Sequence, residues 1–289
     1  MKKVSEESLS SFSEVPKLLL SKNPEIRWKN KESVSREFED EKWGSLLEIS
    51  KKHNASVDLL ENIMHRDVEE KLFLYGDDLF LDQPINISKL FLKESIDALK
   101  EIYIGSNCQS LVEVGAGYGR LLIPLADALK KEKPEKVLGT DFTKASGKIL
   151  KNLSKKLEYN IDSCLIDISG KGDYQDKLSS IDCIKPLIFS CQTAMYVPFL
   201  DNDFIKLMKT WPDGIFCNIE PIYNKDPKNN LEFLQSRYVE VNDYNRNLLD
   251  LLQKYSKKNL VEIIFSSSCK VSENAFLPLQ TIVWRFINN

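Results

Sequence analysis

The sequence is poor in histidine and in closely spaced cysteines. Of its 289 residues only two are histidines and six are cysteines, and no two cysteines form a C-x-x-C pair. Neither histidine has partners at the spacing of zinc ligands. These absences disfavour a zinc site. We expect no bound metal and six reduced, mostly buried thiols.

The chain also lacks a long apolar run and an excess of positive charge. No stretch approaches the roughly 18 uninterrupted apolar residues of a membrane-spanning helix, and no apolar segment of a signal peptide follows the first residues. Forty Lys and Arg residues stand against 43 Asp and Glu, a net charge of −3, which provides no field to gather nucleic-acid phosphates. We therefore expect a cytoplasmic protein whose main partner is neither a membrane nor nucleic acid.

Two segments differ in their hydrophobic periodicity. From residue 1 to 105, apolar side chains recur at helical spacing, which predicts a helical region of three or more helices. In it, Ser56 and Ser88 are expected as N-caps, and residues 75–78 are expected as a turn. This region is predicted either to fold over a ligand cleft as a lid or only to pack against the rest.

The second segment, residues 106–289, alternates short apolar runs with charged amphipathic ones. That alternation is typical of β-α-β units and a mostly parallel sheet, so the predicted fold class is α/β. The last two apolar runs leave no room for a helix between them, and we expect them to pair antiparallel. The predicted strands lie at about 110–115, 136–141, 162–168, 184–191, 214–219, 260–265 and 279–286. The predicted helices lie near 118–132, 144–157, 201–211 and 243–257.

A glycine loop is the most specific motif in the sequence. A buried strand ends in three alternate glycines, Gly115, Gly117 and Gly119, and continues into an amphipathic helix. Glycines there let a ligand lie against bare backbone at a helix N-terminus. A dinucleotide-binding loop would need a glycine where this chain has Arg120. A nicotinamide-dependent oxidoreductase therefore remains only as an alternative.

The pattern acidic-x-Gly-x-Gly-x-Gly resembles motif I of the class I S-adenosylmethionine-dependent methyltransferases. The resemblance covers the whole second segment and implies a Rossmann-like sheet of seven strands that closes with an antiparallel pair. It also implies S-adenosylmethionine as the cofactor. In that family the loop passes under the methionine part of the cofactor, which assigns this role to Gly115, Ala116, Gly117 and their neighbour Tyr118. Glu113 would then lie near the cofactor's ammonium group.

Two further strand ends extend this resemblance. Asp141 ends the second strand, where a carboxylate can accept hydrogen bonds from both hydroxyls of a ribose. Asp167 and Ile168 end the third strand and match the family positions that bind the adenine amino group and pack on its ring. Either aspartate taken alone also fits a helix or turn cap. The remaining cofactor-binding candidates are Phe142, Ser190 and Gln192.

Acceptor-side candidates follow the fourth and fifth strands. Glu220 ends the fifth strand and is predicted as a catalytic base for a hydroxyl acceptor, with a loop-ordering carboxylate as the equal alternative. Tyr196 is the second catalytic candidate. A polar cluster before the last predicted helix suits a polyhydroxylated or carboxylated small molecule. Its substrate-binding candidates are Asn242, Asp243, Tyr244 and Arg246.

The sequence thus predicts a methyltransferase that uses S-adenosylmethionine and acts on a small polar acceptor. The first choice of acceptor is a hydroxyl of a sugar or related metabolite. One alternative is methylation of a protein side chain or terminus, for which the acidic region 1–105 would be the docking surface. Another is a methyltransferase-like subunit that binds its ligand or a partner without catalysis.

Overall fold

The computed structural model of the chain describes residues 1–21, 24–66, 68–172, 174, 178 and 181–287. Within these residues the strands gather in two sheets. The strands are β1 (Lys2–Val4), β2 (Lys71–Tyr75), β3 (Asp78–Asp82), β4 (Ser110–Val114), β5 (Lys136–Asp141), β6 (Asp162–Leu165), β7 (Pro186–Cys191), β8 (Ile215–Pro221), β9 (Val261–Ser268), β10 (Val271–Ser272) and β11 (Leu279–Phe286).

The helices pack against both faces of the larger sheet and against the smaller sheet. They are α1 (Leu9–Phe12), α2 (Val15–Leu19), α3 (Lys31–Ser35), α4 (Trp43–Ser50), α5 (Val57–Met64), α6 (Pro84–Gly105), α7 (Leu122–Ala128), α8 (Lys144–Ser154), α9 (Asn202–Met208), α10 (Asn230–Val241) and α11 (Leu248–Ser256). A π-helical segment, Arg36–Lys42, joins α3 to α4, and single 3₁₀ turns form at Glu6–Ser8 and Ala194–Tyr196. Among the described residues, no helix has both the length and the apolar character that crossing a bilayer requires.

The larger sheet has seven strands in the order β6-β5-β4-β7-β8-β11-β9. The first five in this row are parallel, and β11 runs antiparallel between β8 and β9. The α/β fold and the antiparallel closing pair are therefore confirmed. The order of the strands along the sheet reverses between β4 and β7. Ligands of open α/β sheets bind at such a reversal, in the crevice beyond the carboxyl ends of the strands.

The central strands are buried on both faces, which explains their continuous apolar runs. Successive side chains of β4 enter different cores, since Leu111 packs with α7 and α8 on one face while Val112 packs with α9 and α11 on the other. Each of these side chains has no exposed surface. Packed helices thus cover both faces of the central strands, and a site can form at the carboxyl edge of the sheet.

The helices predicted in region 1–105 are confirmed, but the region also contributes three strands, which the sequence did not predict, to the smaller sheet. Its order is β1-β3-β2-β10, and β2 and β3 form a hairpin around the turn predicted at residues 75–78. The alternate leucines of the hairpin pack on one side with Leu231 and Leu234 of α10, while Phe73 on the other side is buried in the core shared with the larger sheet. The strand β10, from the far end of the chain, pairs with β2.

Other sequence predictions were partly wrong. Ser56 does cap α5, where its Oγ accepts a hydrogen bond from Leu59 N at 3.2 Å. Ser88 does not cap α6, because that helix begins at Pro84, whose fixed φ and missing N–H suit a first turn. The helix expected from residue 243 begins only at Leu248, and α10 was not predicted. The strand expected at 162–168 and the helix expected at 118–132 are shorter than predicted.

A buried polar chain crosses the larger sheet. The Trp284 indole N–H donates to Asn218 Oδ1 at 2.8 Å, and Asn218 Nδ2 donates to Ser190 Oγ at 2.9 Å. The Ser190 hydroxyl in turn donates to Glu220 Oε1 at 2.8 Å. Because every donor has its acceptor, this chain ties β11, β8 and β7 together without an unpaired group among its links.

We expect Asn218→Ala to lower the free energy of unfolding by roughly 2 to 3 kcal/mol, because it leaves the buried Trp284 N–H without its acceptor. Urea denaturation followed by tryptophan fluorescence measures the change. Asn62→Ala is the matched control, since Asn62 is exposed on α5, and its effect should stay within about 0.5 kcal/mol. Equal stability of the two variants would contradict the importance of the chain.

Candidate active site

A cavity of about 480 Å³ lies beyond the carboxyl ends of β4, β5 and β7. Its volume falls within the range of roughly 300–1,000 Å³ of small-molecule sites. Many of the residues predicted as cofactor or catalytic residues line it. They are Glu113, Gly115, Ala116, Gly117, Tyr118, Asp141, Phe142, Asp167, Ile168, Gln192 and Tyr196.

The glycine loop adopts a backbone that other residues rarely accept. Gly115 has φ 82° and Gly117 has φ 53°, both in the left-handed region. A Cβ at Gly115 would lie 2.1 Å from Thr193 Cγ2, and one at Gly117 would lie 3.0 Å from the ring of Trp43. Thr193 and Trp43 therefore lie closer to the loop backbone than a residue with a Cβ at position 115 or 117 would allow.

Asp141 connects β5 to this loop. Its Oδ2 accepts a hydrogen bond from Gly117 N at 2.9 Å, and its Oδ1 accepts from Thr143 N and Thr143 Oγ1 at 2.8 and 2.7 Å. Burial raises the pKa of Asp141, although these hydrogen bonds act in the opposite direction. The carboxylate thus acts as a local cap, and it also lines the cavity.

Two more carboxylates line the cavity. Glu113 is buried, one of its oxygens accepts from Leu122 N at 3.0 Å, and burial raises its pKa well above the usual range. Asp167 is half-buried, accepts from Ser169 N at 2.9 Å and lies 3.5 Å from Lys31 Nζ. Since a carboxylate offers about four acceptor positions, both retain capacity for a ligand.

One wall of the cavity comes from the N-terminal segment, for which the sequence predicted a lid as one of two roles but none of the lining residues individually. The Phe38 ring lies 4.9 Å from that of Tyr196, and the Trp43 ring lies 5.4 Å from that of Tyr118, both edge to face. Burial raises the pKa of Tyr196 well above the usual range, so its phenol stays protonated at neutral pH and can donate a hydrogen bond. The other lining residues of this segment are Lys29, Asn30, Lys31, Val34, Lys42, Met64, His65, Phe91 and Leu92.

A buried ion-pair network lies behind the glycine loop. Arg120 Nη1 and Nη2 donate to the two carboxylate oxygens of Glu273 at 2.9 and 2.5 Å, and Arg120 Nε lies 2.8 Å from Glu61 Oε1. Glu61 also accepts hydrogen bonds from the hydroxyls of Tyr118 and Ser88. Burial acts to raise the pKa of Glu61, but these partners and His65 lower it to about 2.

Comparison with known proteins gives structural matches alone. No family model matches the chain, and no curated protein matches it. Magnesium protoporphyrin IX methyltransferase from Synechocystis PCC 6803, solved with bound SAH, is similar at a TM-score of 0.55 and 12% identity, over 90% of this chain and 100% of that one. The mitomycin 7-O-methyltransferase MmcR aligns over 93% of this chain and 74% of its own, at a TM-score of 0.46 and 13% identity.

The chain has the class I methyltransferase fold. The seven-stranded sheet, with its antiparallel strand β11 between β8 and β9, agrees with this assignment. Within this methyltransferase fold the cavity lies where the strand order reverses, between β4 and β7. Among the described residues, no group of three or more His, Cys, Asp or Glu side chains is placed to hold a metal ion.

Glu220 requires a correction. It does not line the cavity and is only 1% exposed. Besides Ser190, the amides of Thr193, Ala194 and Met195 donate to its carboxylate at 3.0, 2.9 and 3.2 Å. Burial raises its pKa against the effect of these hydrogen bonds. A carboxylate occupied by four donors does not fit the predicted base, and Glu220 instead fixes the turn after β7.

The predicted substrate cluster also lies outside the cavity lining. Asn242 Nδ2 donates to Tyr238 O at 2.9 Å, and Arg246 Nη2 donates to Asp243 Oδ1 at 2.7 Å. Tyr244 packs its ring against that of Tyr196 at 5.7 Å. Most of these bonds are local and order the connection between α10 and α11, which explains the density of polar groups. Asp243 also holds the N-terminal segment, because its Oδ2 accepts a hydrogen bond from Lys29 N at 3.0 Å. Ser190 likewise serves the buried chain described above rather than the cavity.

We expect Glu220→Gln to lower the free energy of unfolding by about 1.5 to 3 kcal/mol, because the new amide N–H₂ would face groups that are themselves donors. Urea denaturation measures this loss. Glu262→Gln, on the exposed face of β9, is the matched control and should change stability by less than about 0.5 kcal/mol. If Glu220→Gln were as stable as the wild type, the positioning role would be wrong.

Proposed function

We propose that this protein is an S-adenosylmethionine-dependent methyltransferase that acts on a hydroxyl group of a small molecule. The observation that carries the proposal is one cavity that joins the Gly115–Gly117 loop to carboxylates at three successive strand ends, Glu113, Asp141 and Asp167. The similar structure of magnesium protoporphyrin IX methyltransferase contains SAH. The glycine loop and its resemblance to motif I support the same cofactor.

The residues present suit the charges and shape of this cofactor. S-adenosylmethionine carries an ammonium and a sulfonium cation and no phosphate, so a cavity with buried carboxylates complements it. Asp141 is suited to the ribose hydroxyls, and Asp167 with Ile168 is suited to the adenine ring. The bare loop would accept the methionine part beside Glu113. When bound, the cofactor supplies an electrophilic methyl group.

The acceptor that we propose differs from the sugar that the sequence predicted. A sugar was predicted from the polar cluster at residues 242–246, and that cluster does not reach the cavity. The wall that remains for an acceptor is largely apolar, with Met64, Phe91 and Leu92 beside the polar side chain of Gln192. We therefore favour a hydroxylated molecule with a substantial apolar part. An apolar wall also excludes water, which would otherwise solvate the attacking oxygen.

Isothermal titration calorimetry with S-adenosylmethionine tests the proposal, and we expect micromolar binding. Asp167→Asn should weaken it by about tenfold, because one charge-assisted hydrogen bond to the adenine amino group is lost. Asp162→Asn is the matched control at the opposite end of the same segment, where Asp162 pairs with Lys136 away from the cavity. Absence of binding at millimolar ligand would contradict the proposed function.

Binding should also release a proton. Burial raises the pKa of Glu113 well above the usual range, so the free protein holds this carboxyl protonated to higher pH than an exposed glutamate. A nearby cation favours the ionised form, and affinity should therefore rise with pH through the pKa of the free protein. Calorimetry in phosphate and in Tris at one pH counts the released protons from the difference in heat.

We expect Glu113→Gln to release fewer protons on binding than the wild type, because the glutamine side chain has no such proton to lose. Equal binding heats of the wild type in both buffers would show that no proton leaves, and would refute the assignment of Glu113 to the cofactor's cationic end. Asp162→Asn is again the control, and it should release as many protons as the wild type.

A further inference from the structure

The inference concerns His65, one of only two histidines in the chain and the one that lines the cavity. It follows the last turn of α5, where its backbone N–H donates to Glu61 O at 3.1 Å and so ends the helix. Its side chain is 24% exposed, so the ring is reachable from the cavity without being free in solvent. His53, in contrast, is exposed and does not line the cavity.

A buried carboxylate orients the His65 ring. Its Nε2 lies 3.3 Å from Glu61 Oε2, and Glu61 is itself only 3% exposed. Since one ring nitrogen is occupied by the carboxylate, the other, Nδ1, is left for a second partner. An imidazole held in this way by a carboxylate has a defined tautomer and can take up a proton at its other nitrogen.

The charged groups around this pair are fixed from three sides. Tyr118 and Arg120 approach Glu61 from the segment that follows the glycine loop after β4. Glu273 approaches Arg120 from the connection after β10, and Gln192 Nε2, just after β7, donates to Glu273 Oε2 at 3.1 Å. The network therefore spans the two strands between which the order of the sheet reverses.

The position of the network places His65 at the crevice where this fold binds its ligands. Gln192, at one end of the network, has φ 50°, a left-handed backbone that is uncommon for a residue with a side chain. Such strain at a cavity wall is typical of positions that a ligand requires. The apolar residues Met64 and Phe91 lie in the same wall as His65.

We propose that His65, held by Glu61, is the catalytic base that accepts the proton of the acceptor hydroxyl. This rests on the proposed function. The acceptor O–H bond breaks as its proton passes to Nδ1, an oxygen lone pair forms the new C–O bond to the methyl carbon, and the electrons of the C–S bond remain on sulfur. An alcohol needs such a base, because the attacking oxygen must lose its proton during transfer. The acceptor is accordingly a hydroxyl rather than an amine.

The test uses the sulfonium charge, which S-adenosylmethionine has and S-adenosylhomocysteine lacks. A base that faces the reacting centre must lie near that charge, so a protonated His65 would repel the first ligand and not the second. We expect the ratio of the two dissociation constants, measured by calorimetry in the full chain, to turn against S-adenosylmethionine when the pH is lowered.

Variants of the two histidines show whether His65 causes this change in the ratio of the dissociation constants. The shift in the ratio should be at least about threefold larger in the wild type than in His65→Gln, and His53→Gln should match the wild type. Glu113 also titrates near the ligand, but both histidine variants retain it, so its contribution cancels. A ratio whose pH dependence is the same in His65→Gln and in the wild type would overturn the role of His65.

The two proposals fail in different ways. If neither S-adenosylmethionine nor S-adenosylhomocysteine binds the wild type at millimolar concentration, the proposed function is overturned and the role of His65 with it. If both bind and the ratio is insensitive to His65, only the base is overturned. A purely structural His65, serving as the end of α5, would alter stability and leave the ratio unchanged, which is the same overturning result.

Discussion

The largely buried guanidinium of Arg120 is the constraint on which the site depends. A charge largely removed from water is tolerated only when it is paired and hydrogen-bonded; Arg120 forms an ion pair with Glu61 and hydrogen bonds with Glu273. Glu273 lies 153 residues away along the chain. The glycine loop, the N-terminal helix α5 and the C-terminal strands must therefore all be in place before this charge is satisfied. The cavity wall that they form cannot exist without the complete fold.

Backbone pairing brings Glu273 to that position. The two-residue strand β10 pairs with β2, so that Val271 lies opposite Tyr75 and Ser272 opposite Leu74. Glu273 is the next residue along. The hairpin of the N-terminal segment thus holds the turn of the C-terminal segment, while β9 and β11 on either side of that turn belong to the larger sheet. Removal of either sheet would leave the guanidinium without one of its carboxylates.

The sequence predicted the parts of this structure that depend on local patterns. Buried parallel strands such as β4 have continuous apolar runs, and a loop such as Gly115–Gly117 needs glycine for its backbone torsions. Both patterns can therefore be recognised in the sequence alone. The hairpin β2–β3 was missed because five-residue strands lie among longer helical patterns. Helix α10 was missed because residues 224–230, which lead into its first residue, are rich in the turn-forming residues Asn, Asp and Pro.

The site was harder to predict than the fold, for two physical reasons. Polar residues are ambiguous, since Asp243 and Arg246 form a local ion pair at 2.7 Å that uses the same chemistry as ligand recognition. Hydrogen-bond partners that are distant along the chain cannot be predicted from local patterns. Nothing near Glu220 in the sequence shows that the amides of residues 193–195 donate to its carboxylate. Glu61 was likewise an ordinary member of an amphipathic helix until the fold brought Arg120 beside it.

The two walls of the cavity differ in how far the sequence reveals them. The strand ends supply polar groups whose positions are fixed by the sheet, and these suit a ligand that stays the same. The opposite wall comes from residues 29–92, where Phe38 and Met64 keep the helical spacing of core residues although they face the cavity. An apolar side chain has the same period whether it faces a core or a cavity. Under the proposed function this wall selects the acceptor, and the spacing of its residues does not distinguish a cavity from a core, so only the tertiary structure separates the two uses.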